Sequence, residues 1–393
     1  MINFDFVSPT KIYFGKDKEK NVGSVIKYLG FANILIVYGK GSIKQNGLYS
    51  AVINSLEENH ITYKELSNIR ANPDISKVNE GINIIRREKI NFILAIGGGS
   101  VIDTAKSIAV AYYYEGNPFD LNLHKCVPTN ALPVGVILTI AASGSELSDS
   151  CVVMDDSTGI KAGFNSDLVR PCFAIMNPEI TFSVDKKQTG YGVVDIISHS
   201  LERYFTPGNE NEVADNLALS IIKDTMYYGS IAYNNPNNYD ARASLMLLGS
   251  YSHNGLTNLG KNKTMPIHKI EHALSAYNTE IAHGAGLAVL IPAWMNYVYK
   301  KDLQKFSKFT KFIFGKSSCF DIKNAKSAGI LIKKFFHEIG MPTSFKDINL
   351  GRNDIPSLLE KLYPIKDSTI GDDSIFPLKK DDLNKIFESL CEE

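Results

Sequence analysis

Two short apolar runs restrict the possible folds of this chain more than any other feature. Asn33 to Tyr38 is closed by Gly39, and Asn91 to Ile96 is ended by Gly97, Gly98, Gly99 and Ser100. Both are apolar, the first rich in β-branched residues, and both are too short for a buried helix, the pattern of a strand covered on both faces. Helical patterns run between and beyond them, from about Gly47 to Asn59, Val78 to Arg87 and Val101 to Tyr113. Ile61 to Leu66 alternates weakly as another strand, and Pro133 to Leu138, Cys151 to Met154 and Cys172 to Met176 read as further ones. Strands alternating with helices predict a parallel sheet with helices on both faces.

From about Thr181 the strand signal fades and long helical patterns take over. Asn177-Pro178 is the expected boundary, because a residue before proline resists helix. A chain of 393 residues exceeds one ordinary core. The expectation is an α/β domain over 1–180 and an all-helical domain over 181–393, without internal repeats. Residues 345–380, with Gly351, Pro356, Pro364, Gly371 and Pro377, read as loop-rich surface.

Charge excludes some partners. Lys plus Arg and Asp plus Glu are 42 each, so no basic field is available to condense on nucleic acid or an anionic membrane. The longest apolar runs fall well short of the roughly 20 residues needed to cross a bilayer. Five scattered cysteines (Cys126, Cys151, Cys172, Cys319 and Cys391) form no CxxC pair, which argues against a disulfide framework or a thiolate zinc site. The start of the chain lacks a basic leader and a long apolar stretch, so the expected location is the cytoplasm.

The glycines at 97–99 sit between a strand and a helix. They let the backbone approach a ligand closely, and the helix N-terminus that follows offers amides and a positive dipole to a pyrophosphate. The loop is neither G-x-G-x-x-G nor a phosphate loop of the G-x-x-x-x-G-K type, so it suggests a nucleotide without naming one. Ser100 and Asp103 have the spacing of a capping box. A second turn, Gly39-Lys40-Gly41-Ser42-Ile43-Lys44, carries no acidic residue to receive a ribose 2′-hydroxyl, and its lysines favour NADP over NAD.

Further along, ionisable residues interrupt apolar helical sequence. Asp195 and His199 are four apart, as are His268 and His272, and His283 stands against Gly284 and Gly286. A four-residue spacing puts both side chains on one helix face. A carboxylate buried there costs several kcal/mol unless a positive group meets it. Carboxylate and imidazoles drawn from facing helices suit one divalent ion, ferrous iron or zinc. Spacing alone leaves open which of His268 and His272 binds and which serves as a proton relay.

These motifs, in this order, resemble the iron-containing alcohol dehydrogenase family, specifically its butanol dehydrogenase and NADPH-dependent aldehyde reductase branch. The likeness covers nearly the whole chain: Pro9-Thr10-Lys11-Ile12, Gly41-Ser42-Ile43-Lys44, Gly97 to Lys106, Thr139 to Glu146, Gly192 to His199, His268 to Ala276, and His283 to Met295. It implies an α/β N-terminal Rossmann-like domain plus an all-α C-terminal domain, the dehydroquinate synthase-like architecture. It implies metal ligation by Asp195, His199, His268 and His283, with His272 as the non-ligand histidine near the substrate. By the same likeness Gly98, Gly99, Ser100 and Asp103 serve the pyrophosphate loop, while Thr139, Ser143 and Lys161 line the nicotinamide half. Gly41 and Ser42 match the place that receives the 2′-phosphate. The implied partners are an alcohol or aldehyde and a second copy of the chain in a homodimer.

Two departures mark the substrate side. The branch carries an aspartate and a tryptophan just before its first His-x-x-x-His histidine, where this chain has Lys263 to Ile267. The segment between His272 and His283 is one residue longer. The expected activity is hydride transfer between NADP(H) and a primary alcohol or aldehyde, with polyol dehydrogenase, metal-dependent cyclising synthase and non-redox metalloenzyme as rivals.

Overall fold

The computed structural model describes residues 1–206, 211–262, 264–316, 321–363, 368–372 and 374–392. Lys263, Cys319 and Pro364 lie outside these residues. The chain divides into two compact units, one comprising Val7–Val184 with Asn235–Ser250, the other Met1–Phe6, Asp185–Asn234 and Tyr251–Glu393.

The first unit contains strands β1 (Lys11–Phe14), β2 (Asn33–Tyr38), β3 (Thr62–Leu66), β4 (Phe92–Gly97), β5 (Val134–Leu138), β6 (Ser150–Asp155), β7 (Ile160–Asn165) and β8 (Phe173–Met176). Its helices are α1 (Val22–Tyr28), α2 (Ser42–Gln45), α3 (Leu48–Glu58), α4 (Ile75–Glu88), α5 (Gly99–Ala111) and α6 (Phe119–Asn122). Six strands form one sheet in the order β1-β8-β5-β4-β2-β3, with all neighbours parallel. Alternate residues enter two separate cores. Leu35, Val37, Ile93, Ala95, Val134 and Val136 lie in one, and Ile34, Ile36, Phe92, Leu94, Ile96 and Ile137 in the other. Double coverage is why these runs carry no polar face.

Strand order also locates the ligand side. After β2 the chain adds β3 on one flank, then crosses back to set β4 on the other flank of β2. That reversal is a topological switch point, and ligands of open α/β sheets bind outside the carboxyl ends of the strands there. The turns Gly39–Ser42, Gly97–Ser100 and Thr139–Ser143 follow β2, β4 and β5 at that edge.

Two details differ from expectation. The strand from Cys151 is not in the parallel sheet: β6 pairs antiparallel with β7, which the sequence pattern did not reveal. The hairpin is tied to α5 instead, where the buried Lys106 Nζ donates to the carbonyls of Ser148 and Ser150, each at 2.9 Å. The Ser100–Asp103 capping box does not form. The N-cap of α5 is Gly98, and the Asp103 carboxylate turns inward to accept from Ser145 Oγ at 2.5 Å and Val152 N at 3.0 Å.

The second unit is helical: α7 (Lys186–Tyr204), α8 (Glu212–Asn234), the last turn of α9 (Tyr239–His253), α10 (Pro266–Tyr277), α11 (His283–Val298), α12 (Leu303–Phe314), α13 (Ile322–Glu338), α14 (Ile355–Leu362) and α15 (Lys380–Cys391). The remainder of α9, to Ser250, belongs to the first unit. Helix α7 starts where Asp185 accepts from Gln188 N at 2.7 Å, a side-chain N-cap. Aromatic packing fills part of the core, with Phe205 stacked on Phe306 at 4.2 Å between ring centroids. Among the described residues no helix is long and apolar enough to cross a membrane.

Candidate metal centre and cofactor loops

Helices α7, α10 and α11 bring their ionisable residues to one point. The Nε2 atoms of His199, His268 and His283 lie 3.7, 3.7 and 3.6 Å from a single oxygen, Asp195 Oδ1. These distances are too long for hydrogen bonds. They match the separation of about 3.4 Å between ligand atoms set tetrahedrally around an ion at 2.0–2.1 Å. Asp195, His199 and His268 are buried, with ligand atoms all within 4.8 Å of one another. Asp195 Oδ1 and His268 Nε2 are enclosed yet have no hydrogen-bond partner among the described residues. Such atoms carry a desolvation cost that a shared cation removes. The donor set therefore fits a divalent ion.

Two carboxylates aim the imidazoles. His268 Nδ1 donates to Glu202 Oε2, and His283 Nδ1 donates to Glu271 Oε2. Each bond fixes the tautomer that leaves Nε2 free to coordinate, as carboxylate–histidine pairs do at metal sites. Glu202 Oε1 also accepts from Ile267 N at 2.6 Å, satisfying an amide in the first turn of α10. Ser275 Oγ donates to Glu271. Neither glutamate emerged from sequence reasoning, although 195, 199 and 202 share one helical face, and 268, 271 and 275 share another.

Glycines on α11 permit the approach. A Cβ on Gly284 would sit 2.6 Å from the Tyr191 carbonyl oxygen of α7, and one on Gly286 would sit 2.9 Å from Glu271 Cγ of α10. Only bare backbone fits there.

Electrostatics differ between the imidazoles. Burial pushes the His199 pKa well below the usual range, reinforced by His253 and His268. Burial also opposes charge on His268, but Glu202 and Asp195 outweigh it and raise its pKa to about 9. His283 is the most open of the four, 29% exposed at its side chain. Between His268 and His272, the one whose Nε2 approaches Asp195 is His268. His272 instead flanks His283, 5.9 Å away between ring centroids.

In the first unit the glycine turn after β4 packs on the segment after β5. Thr139 N donates to Gly97 O at 3.2 Å, and a Cβ on Gly99 would lie 2.5 Å from Ser143 Oγ. Gly98, Gly99, Ser100, Thr139 and Ser143 are all half-buried, leaving one accessible edge. Lys161, on β7, is close enough to act electrostatically on Asp103. Gly41 takes φ +118° as N-cap of α2, with open space where a Cβ would be, and Ser42 is exposed. Lys44 is already engaged: Nζ lies 4.5 Å from the Tyr49 ring centroid and 3.9 Å from Glu65 Oε2. Glu65 in turn accepts from the hydroxyls of Tyr38 and Tyr49, each at 2.5 Å.

A doubly wound domain with glycine turns at its switch point, and a helical unit with one carboxylate and three imidazoles around a point, fit a class of nucleotide-binding enzyme that holds a divalent ion. Comparison with known proteins narrows the class. The family profile "Iron-containing alcohol dehydrogenase" matches residues 9–178, and its C-terminal companion matches residues 189–391. The chain belongs to the iron-containing alcohol dehydrogenase family, whose members use a nicotinamide dinucleotide and a divalent metal, generally iron.

NADH-dependent butanol dehydrogenase A of Clostridium acetobutylicum is 38% identical over 390 residues, covering 99% of each chain. NADPH-dependent aldehyde reductase YqhD of Escherichia coli is 31% identical, over 92% of this chain and 93% of its own. The crystal structure of NADH-dependent butanol dehydrogenase A from Thermotoga maritima superposes with a TM-score of 0.95 at 36% identity, covering 100% of this chain and 99% of that one. The protein is thus an alcohol or aldehyde oxidoreductase with the α/β-plus-helical architecture of this family.

Proposed function

We propose that the protein catalyses reversible hydride transfer between NADP(H) and a primary alcohol or its aldehyde, using one divalent ion. The observation that carries this is the convergence of three imidazole Nε2 atoms on Asp195 Oδ1. Asp195, His199, His268 and His283 are the proposed ligands. The bound ion supplies Lewis acidity to the carbonyl oxygen of the substrate. Glu202 and Glu271 keep His268 and His283 oriented. His272, beside the most open ligand, is placed to pass a proton to or from the alcohol oxygen, directly or through water. The dinucleotide-binding part is assigned to 1–180 and the metal-binding part to 181–393.

Gly98, Gly99 and Ser100 are assigned to the pyrophosphate, and Thr139, Ser143 and Lys161 to the nicotinamide half. Asp103 supports the loop from inside, through Ser145 and Val152 N. Gly41 and Ser42 are assigned to the 2′-phosphate. No carboxylate occupies Gly39–Lys44 to repel that phosphate. The relatives named above divide between NADH and NADPH, so the test must compare both. Metal analysis of freshly purified protein, beside oxidation of NADPH and NADH with butanal, decides the proposal. About one iron or zinc per chain and faster NADPH turnover are expected. Metal-independent turnover, or none with either dinucleotide, would reject it.

A further inference from the structure

Two of the three imidazoles at the centre are backed by a carboxylate, and the third is not. His268 has Glu202 and His283 has Glu271, whereas His199 Nδ1 is enclosed with no hydrogen-bond partner among the described residues. A ligating histidine without such a bond has nothing to fix its ring by hydrogen bonding. What meets its ring is another imidazole. The ring centroid of His253, the last residue of α9, lies 4.1 Å from that of His199 at an interplanar angle of 46°. His268 also stacks on His199, at 4.8 Å and 16°.

His253 is itself held. Arg203, one turn beyond His199 on α7, directs Nη2 to His253 Nδ1 at 2.8 Å. A guanidinium only donates, so Nδ1 accepts and the proton of the neutral ring resides on Nε2. Arg203 Nη1 donates to the carbonyls of His199, at 2.9 Å, and Ser252, at 2.8 Å. One planar, buried cation thus joins the backbone of the ligand residue, the end of α9 and the ring against the ligand. Its fork geometry leaves little freedom in that arrangement.

We propose that His253, on the end of α9 that Arg203 ties to α7 through the Ser252 carbonyl, is a positioning residue that fixes the His199 ring by packing, taking the place of the carboxylate that the other two histidines have. The proposal rests on the metal-centre reading above. It makes the flat ring of residue 253, rather than its hydrogen bond, the element on which ion affinity depends.

The test separates ring from hydrogen bond in the full-length protein loaded with Co²⁺, with affinity read by chelator competition and the ligand field by visible absorption. His253→Asn keeps an acceptor for Arg203 at the Nδ1 position but removes the ring. Its affinity should fall about 10- to 100-fold, the usual effect of losing a support of a metal ligand, with an altered cobalt spectrum. His253→Phe keeps the ring, loses the acceptor and should restore most of the affinity and the parental spectrum. If His253→Asn does not fold, His253→Leu takes its place with the same expectation, because a branched aliphatic chain is no flat wall. Parental affinity in the ringless variant, or an equal loss in His253→Phe, would overturn the proposal. His199→Ala is the control for the underlying reading: undiminished Co²⁺ binding there would remove the metal centre itself, whatever residue 253 does.

Discussion

In the proposed site, protons and a metal ion compete for the same nitrogen of His268, and the residues around it set the terms of that competition. Burial resists charge on this ring, yet Glu202 and Asp195 together raise its pKa from the ordinary 6.5 to about 9. In the metal-free protein at neutral pH, His268 therefore carries a proton that the ion must displace from Nε2. A raised pKa means the proton is lost only as pH climbs through 9, so apparent metal affinity should rise with pH and level off above that value. Two pH units between 7 and 9 correspond to about 100-fold in affinity, or roughly 2.7 kcal/mol. His199 adds no second step in this window, because its pKa is pushed well below the usual range and it is already neutral.

Co²⁺ competition against a chelator from pH 6.5 to 9.5, corrected for chelator protonation, measures this directly. A slope near one in log affinity against pH is expected below 9. Glu202→Gln supplies the internal check. The amide retains a hydrogen-bond acceptor but loses the charge, so the levelling point should move down toward neutral pH. Intrinsic affinity should fall about 10- to 100-fold at the same time. The parent and variant must then differ most above pH 9 and converge toward pH 7. A flat profile, a slope of two, or a constant ratio between the two proteins would refute the assignment of His268 as the charged ligand.

Other consequences can be checked separately. His199→Ala should abolish both metal retention and turnover, read by elemental analysis and NADPH oxidation. His272→Ala should keep the metal while turnover falls about 10²- to 10⁴-fold, the usual range for a lost proton-transfer group. Gly99→Ala places a methyl group against Ser143 Oγ, so fluorescence titration should show weaker NADPH and NADH binding with metal content unchanged. Lys44→Ala should weaken NADPH binding and leave NADH binding nearly intact. Equal losses would mean that Lys44, held by Tyr38, Tyr49 and Glu65, serves only the local structure.

Legibility from sequence followed the physics of each element. The central strands declared themselves because both faces of the sheet are covered, leaving Ile34–Val37 and Phe92–Ile96 without a polar position. Strand β1 leaves no such signal because it lies at the sheet edge, where Lys11 is exposed and Ile12, Tyr13 and Phe14 are only half-buried. Cys151 to Met154 reads as a strand of the main sheet because an apolar run carries no mark of its partner, and the antiparallel β7 leaves no comparable run. The hairpin's actual anchor, the buried lysine of α5, acts through backbone carbonyls that any sequence possesses. The S-x-x-D spacing of Asp103 likewise suggests a cap, because spacing says nothing about a side chain drawn inward by Ser145.

The proposed ligands are visible because polar groups stand out in apolar helices, but the carboxylates beside them follow a rule that crosses helices. Glu202 of α7 accepts from His268 of α10, and Glu271 of α10 accepts from His283 of α11. Each helix thus carries one ligand-bearing turn and, except for the last in the series, the acceptor that aims the next helix's ligand. Such a chain couples its members, so deletions along it should not be additive. Once Glu202→Gln has loosened His268, adding Glu271→Gln should cost less metal affinity than it does alone. Glu271→Gln beside a distant cofactor-loop variant such as Gly99→Ala should, by contrast, cost its full amount. Strict additivity for the two glutamates would mean that each imidazole is positioned independently and that the three helices do not act as one unit around the ion.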